Sequence, residues 1–396
     1  MTTTLRRAEG AQRATTLELF YDLVFVFAIT QVSHLLLAHL TWEGAGQALM
    51  VLLVVWWSWN FTTWATNELD PESTPVRLLL LGLMLACLLM AIAIPEAFGD
   101  RALLFVGAYV VIQVGRHAFL AFAAAGRGTI ERERASRILV WFATAGVLWI
   151  AGALADGSAR TVLWIAALAV DYGGPLVMYW VPGRTGMPEG TWRIETSHFA
   201  ERFQLFVIIA LGESIVITGA TSSELELDAA RAVAIALAFV GTAALWWLYF
   251  SSVAQVAEST LERARDRTNV ARDVYTYLHV VLVAGIVVTA VGDELVIAHP
   301  GDDLPTAQLL ALVAGPVLYL LAQDLMRWRI EGGPSPSRTI GIVACLLAGL
   351  IGIVAPALLV AALLALVLAA VVLSDERARR RRGGPAPAGQ ELDLAG

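Results

Sequence analysis

Apolar residues run along this chain in stretches of bilayer length separated by short polar segments. Successive runs fall near 18–38, 45–66, 77–96, 101–123, 137–155, 159–180, 198–219, 229–250, 272–293, 307–327, 338–356 and 357–373. A hydrocarbon core about 30 Å thick takes roughly 20 helical residues, and in lipid only helices and closed barrels satisfy every backbone N–H and C=O. A barrel strand needs only about ten alternating residues, so runs of this length are helical. The pattern predicts an all-α polytopic membrane protein of about 12 transmembrane helices.

Composition points the same way. Of 396 residues 58% are hydrophobic and 15% charged, with a mean hydropathy of +0.69, which is too apolar for a water-soluble globule. The first apolar run carries Glu18 and Asp22 and is followed by no small-residue cleavage site. It therefore predicts a retained helix, not a signal peptide.

Charge sets the orientation. There is no lysine, and arginine supplies all 27 cations against 34 acids, for a net −7. With the N-terminus inside, Arg101, Arg160 and Arg231 fall outside, Arg116 and Arg202 fall within spans, and the other 22 of the 27 lie on the inner side. Arginine bias in short loops fixes topology, so both termini are expected in the cytoplasm. The Arg379–Arg382 run directly follows the last apolar run, where it anchors topology instead of binding nucleic acid. The Gly/Pro/Ala-rich residues 383–396 read as disordered.

Two stretches repeat. Glu18-x-Phe20 opens the first helix and Glu201-x-Phe203 the seventh; Trp56-Trp57 precedes Glu68 as Trp246-Trp247 precedes Glu258, with eleven residues from the second tryptophan to the acid in each case. These predict two tandem six-helix repeats of the same orientation, at 18–180 and 198–373, related by a pseudo-two-fold axis along the membrane normal. They are joined by a cytoplasmic linker at 181–197 and flanked by cytoplasmic segments at 1–17 and 374–396.

Ionisable residues within apolar runs cost roughly 2.5–3.5 kcal/mol each on insertion scales and mark function or buried pairing. Glu18 and Asp22 share a face of the first helix, continued by Phe25, Ile29 and Ser33; His198, Arg202 and Glu213 share a face of the seventh, with Glu201 beside it. Glu68, Arg116, His117, Glu258 and Asp324 lie near predicted cytoplasmic helix ends, suggesting a layer of opposite charges in which Arg116 pairs with an acid. Asp171 lies about twelve residues into the sixth run. Trp56, Asn60, Thr63, Trp64 and Asn67 form a mixed aromatic and polar stripe, which lines a cavity or simply packs. Each of these groups is a candidate for ion or solute binding, with structural ion pairing as the alternative.

Enzyme motifs are not evident. There is no HExxH, EF-hand or Cys/His cluster, no P-loop without lysine, and no GxSxG; Cys87 and Cys345 sit singly in apolar runs. His198 near Glu201 allows a proton-transfer pair, and a helix-start ion pair explains it equally well. No metal, cofactor, nucleic acid or enzymatic activity is expected.

The blocks ELFYDLVFVFAI at 18–29 and HFAERFQLFVIIALGES at 198–214 resemble the bacterial low-temperature-requirement A family. That resemblance implies a multi-pass protein of the bacterial plasma membrane, linked by name to growth in the cold, and assigns no reaction or catalytic residue. Leu17-Glu18-x-Phe20-x-Asp22-x-Val24-Phe25 with Ala28-Ile29-Thr30 is also similar to the first helix of bacterial and endolysosomal potassium channels that carry an F-S-D motif. Here Tyr21 stands for the serine, and Leu205 occupies the aspartate position of the second half. The expected function is a channel or secondary transporter for an ion or small solute in the lipid bilayer. The alternatives are a non-transporting scaffold or sensor and a lipid-modifying membrane enzyme.

Overall fold

A computed structural model describes residues 5, 13–187, 192 and 194–381. Arg6, Arg7, Arg193, Arg382 and the tail at 383–396 lie outside the described residues. The described residues form twelve helical rods: α1 (Thr16–Ala38), α2 (Trp42–Thr66), α3 (Thr74–Glu96), α4 (Ala102–Ala124), α5 (Ile130–Leu154), α6 (Gly157–Gly173), α7 (Thr196–Glu224), α8 (Ala229–Arg263), α9 (Arg267–Ala298), α10 (Thr306–Glu331), α11 (Pro336–Ile351) and α12 (Ala357–Arg381). Among these residues the only β pairing is an isolated bridge between Asp303 and Pro356.

Ten of the rods are long and apolar enough to cross a membrane. The other two, α6 and α11, have 17 and 16 residues, or about 25 Å at roughly 1.5 Å per residue, the lower limit for a span. Both stop short of the apolar runs that contain them. Pro175 and Gly174 tighten the end of α6 into a 3-10 turn, and α11 stops at Gly352, whose backbone N–H bonds back to Ala348.

The rods gather into two compact units, the first from Met1–Glu213 and Thr260–Val280, the second from Ser214–Ser259 and Val281–Gly396. In the first unit α1 packs on α2 and α3, α4 on α2, α3 and α5, and α5 on α6. Its innermost helix is α2: 83% of its apolar window is buried, against 50% for α1 and α3 and 44% for α4 and α5. A helix enclosed on all sides cannot be amphipathic, so its polar residues must find partners on neighbouring helices. The start of α9 is π-helical from Ala271 to Leu278, a widened turn that loosens the regular backbone ladder.

In the second unit α8 packs on α12, α10 on α11, and α11 on α12. Glycines let α9 and α10 approach backbone to backbone. A methyl on Gly285 would lie 2.6 Å from the Tyr319 nitrogen, and one on Gly315 would lie 2.5 Å from the Thr289 nitrogen. Tyr319, held at that distance, donates its hydroxyl to the Leu245 carbonyl of α8 at 2.6 Å. Small residues at such crossings supply the van der Waals packing that holds apolar helices together in lipid.

This packing predicts that Gly285→Val and Gly315→Val each destabilise the protein by about 1–3 kcal/mol or more, since the obstacle is backbone. Gly107→Ala on α4, with nothing within 4 Å of the added methyl, should leave stability level or raise it. Thermal unfolding of the purified protein in detergent measures both; equal midpoints for all three would refute the close approach.

Candidate functional site

The polar centre of the first unit starts at the first turn of α1. The Thr15 hydroxyl accepts from the Glu18 backbone N–H at 3.3 Å, and the Glu18 carboxylate accepts from the Thr15 N–H at 2.8 Å. This reciprocal capping box satisfies two N–H groups that a helix start otherwise leaves open. It also fixes the Glu18 carboxylate where its other oxygen lies 3.0 Å from His198 Nε2 and 3.7 Å from the Arg202 guanidinium of α7.

One turn along α1, Asp22 Oδ1 accepts from Arg202 Nη2 at 2.5 Å and from the Trp59 indole of α2 at 2.8 Å. Glu18, Asp22, His198 and Arg202 are all at most 1% exposed. Asn67 of α2 closes the group. Its amide oxygen accepts from the Glu195 N–H at 2.9 Å, and its NH2 donates to the Glu195 carbonyl at 3.1 Å and to His198 Nδ1 at 3.1 Å. With Asn67 oriented in this way, His198 accepts at Nδ1 and donates from Nε2 to Glu18, the neutral tautomer. The i,i+4 stripe of α1 is buried throughout, since Phe25, Ile29 and Ser33 are also at most 1% exposed.

A second network runs through α4. Asp171 of α6, 3% exposed, accepts on Oδ2 from the Tyr109 hydroxyl at 2.7 Å and from the Trp149 indole at 2.9 Å, while its Oδ1 has no hydrogen-bond partner. Gln113 donates to the Tyr109 oxygen at 3.1 Å and accepts from Arg116 on its other end. Arg116 also donates to Thr62 Oγ1 at 2.9 Å and to the Ser58 carbonyl at 3.2 Å, and the Tyr21 hydroxyl donates to the same Thr62 oxygen at 2.8 Å. The expectation that Arg116 pairs with an acid is therefore corrected. This fully buried guanidinium is held by neutral oxygens and the face of Phe61, because Gln113, one turn before it on α4, reaches it first.

The remaining candidates are dispersed. Glu68 pairs with Arg134, which stacks over Trp192. His117 bonds the Gln113 carbonyl through Nδ1 at 3.0 Å and packs on Phe142. Glu213 accepts from Thr30 at 2.6 Å, and Glu201 from the Ala14 N–H at 2.8 Å. Asn60 accepts from Thr276, whose carbonyl and hydroxyl oxygens also take the Trp56 and Trp64 indoles, so the α2 stripe binds the π-helical stretch of α9.

Two candidates belong to the second unit: Glu258 is half-buried, and Asp324 caps the start of α11 through the Ser335 N–H and the Thr339 hydroxyl. Trp56 and Trp57 are at most 1% exposed, whereas Trp246 and Trp247 are 47% and 43% exposed, so the repeated tryptophan pair has two environments. Tyr109, Gln113 and Trp149 were not anticipated, although Tyr109, Gln113 and Arg116 follow one another at i, i+4 and i+7. Thr15-x-x-Glu18 is likewise a capping-box signature in the sequence.

The model of the bacterial low temperature requirement A protein (LtrA) matches residues 13–373, which contain all of these groups. The chain belongs to the LtrA family. An uncharacterized protein of Rhizobium meliloti (strain 1021) is 40% identical over 311 residues, covering 78% of this chain and 76% of that relative. No solved structure matches. In this LtrA chain the two blocks of family resemblance meet in space: Glu18 and Asp22 come from one, His198 and Arg202 from the other.

Removing one member of a buried ion pair strands the other, at a cost of about 3–5 kcal/mol. Asp22→Asn and Arg202→Gln should each destabilise by that order, and the double variant by clearly less than the sum. The exposed Glu72–Arg77 pair, 65% and 49% open at its side chains, should contribute about 1 kcal/mol or less to an equivalent cycle. Additive losses at Asp22 and Arg202 in a thermal-unfolding cycle would exclude the pairing.

Proposed function

We propose that this LtrA protein is a channel or secondary transporter for an ion or small solute, and that Asp171 is its cation-responsive carboxyl. The reading rests on one observation: Asp171 is buried within the apolar helix bundle, held by two neutral donors, with one oxygen unmatched. An ionised carboxylate in such surroundings is expensive, and a bound cation would offset that cost. The carboxyl would then be a one-cation site linked through Tyr109 and Gln113 to Arg116. Asp22, the position that matches the potassium channels' aspartate, is closed off by Arg202 and Trp59, which favours a carrier over an open pore.

The same proposal places twelve spans in the bacterial plasma membrane as two tandem six-helix repeats with both termini cytoplasmic. Its support is the arginine bias and the paired sequence signatures. A second reading, a non-transporting scaffold or sensor, is favoured by the Glu18–His198 and Asp22–Arg202 contacts, which clamp α1 to α7.

Flux assays on proteoliposomes separate the two. Uptake of K⁺, Na⁺ or H⁺ is expected, and Asp171→Asn, nearly isosteric, should lower it at least about tenfold, the effect of roughly 1.4 kcal/mol, with an unchanged elution profile. Proteoliposomes that move none of these ions or small metabolites would leave the scaffold reading.

A further inference from the structure

At one end of the second unit lies a cavity of about 510 Å³ whose lining differs from the rest of that unit. Five serines from three helices contribute hydroxyls: Ser251 and Ser252 from α8, Ser335 and Ser337 at the start of α11, and Ser374 from α12. Ser335 is the residue immediately before α11, and its backbone N–H is taken by Asp324.

The wall is built on Arg338, which is fully buried. It donates to Gln323 at 2.9 Å, to Ser335 at 3.3 Å and to Ser252 at 3.2 Å, and it pairs with Asp375 at 2.9 Å. Ser337 donates to the other Asp375 oxygen at 2.7 Å. Four helix segments are thereby fixed around the space, so the hydroxyls are held in place and do not depend on a ligand for their arrangement.

Charges of both signs line the same space. Arg327 and Glu331 stand on α10, Asp375 and Arg379 on α12. With Arg338 behind Asp375 and Glu376 beside Arg379, the formal charges are three positive against three negative and cancel, so a purely anionic guest gains no net attraction within the cavity. A guest carrying both charges, separated by a few bonds, meets a complement for each. Arg327 and Arg379 retain guanidinium N–H groups beyond those engaged by Glu331 and Glu376, and Glu331 and Asp375 supply carboxylate oxygens. Arginine forks match phosphate geometry, and carboxylates accept from a primary ammonium.

A second groove of about 420 Å³ shares Ser374 and Ala378 with the cavity and extends along α12 past Ala370, Arg377 and Arg381. Ala370, Ser374 and Ala378 recur every four residues, so this face of α12 is a shallow trough, beside which Leu366 and Leu373 are 66% and 55% exposed. A polar cavity continued by a trough toward apolar side chains has the shape of a headgroup site with room for a chain below it.

We propose that this cavity binds a zwitterionic amine–phosphate group, with Arg327 and Arg379 donating to the phosphate and Glu331 and Asp375 accepting from the ammonium. The chemistry is shared by the headgroup of phosphatidylethanolamine and by free phosphoethanolamine. The site lies in the second unit and does not depend on the transport reading.

Native mass spectrometry of the full chain, offered equal amounts of phosphatidylethanolamine, phosphatidylglycerol and phosphatidylcholine, tests it. Phosphatidylethanolamine should be retained at least about tenfold over the other two, a difference of roughly 1.4 kcal/mol. The glycerol headgroup lacks the cation, and the choline headgroup lacks ammonium N–H donors. Ser374→Phe, which fills the cavity, and Arg379→Gln, at the rim, should each remove most of that preference while the protein stays monodisperse. Free phosphoethanolamine that displaces the lipid identifies the headgroup as sufficient; retention against millimolar phosphoethanolamine identifies the membrane lipid. Equal retention of phosphatidylglycerol, or a preference unchanged in both variants, overturns the proposal.

Discussion

The first unit is organised by the enclosure of α2. A helix surrounded by other helices in an apolar setting has no water to satisfy its side chains, so each polar group it carries becomes a bond to a neighbour. Trp59 reaches Asp22 on α1, Thr62 takes Tyr21 from α1 and Arg116 from α4, and Asn67 holds His198 on α7. Trp56, Asn60 and Trp64, spaced four residues apart, all converge on Thr276 in the π-helical stretch of α9. There the Thr276 carbonyl accepts from the Trp56 indole within a widened turn. Loss of the α2 pattern would leave partner groups on four other helices stranded at once.

Much of this organisation was legible in the sequence because it depends on spacing. The i,i+4 stripe of α1, the shared face of His198 and Arg202, and the α2 stripe from Trp56 to Asn67, with Trp64 half-buried, are enclosed faces in the structure. The helices themselves followed from apolar run length. Where the reading departed, the cause was local geometry. The α6 and α11 helices are shorter than their apolar runs, since Pro175 and Gly352 end them while the surrounding residues remain apolar. Arg116 was matched to an acid because charge complementarity is visible in a sequence, whereas the reach of Gln113 one turn away is not weighed by charge alone. The tryptophan pairs show the converse limit: identical dipeptides are enclosed at 56–57 and half open at 246–247, because burial depends on what packs around them.

The buried ionisable groups separate into two kinds. Glu18, Asp22, His198 and Arg202 pair with one another at short range, and such a group behaves as a clamp: breaking it is expensive, and its Coulomb attraction is largely spent against desolvation. Asp171 and Arg116 are different. Each carries a full charge only at a cost that neutral partners offset in part, and they are joined through Tyr109 and Gln113, not by direct contact. The hydrogen-bonded chain between them ties the position of one to that of the other through Tyr109 and Gln113.

That distinction bears on why the two blocks of family resemblance take the form they do. Residues 18–29 and 198–214 are remote in sequence, yet Glu18 meets His198 and Asp22 meets Arg202, so the blocks describe one physical contact and not two separate sites. A contact made of matched charges and capped helix starts explains residue types at those positions without invoking any ligand. Asp171 lies outside both blocks, on a short helix held by aromatic donors from α4 and α5. The residues that carry the family resemblance therefore include the ones that join α1 to α7, whereas Asp171 is held by neutral donors alone.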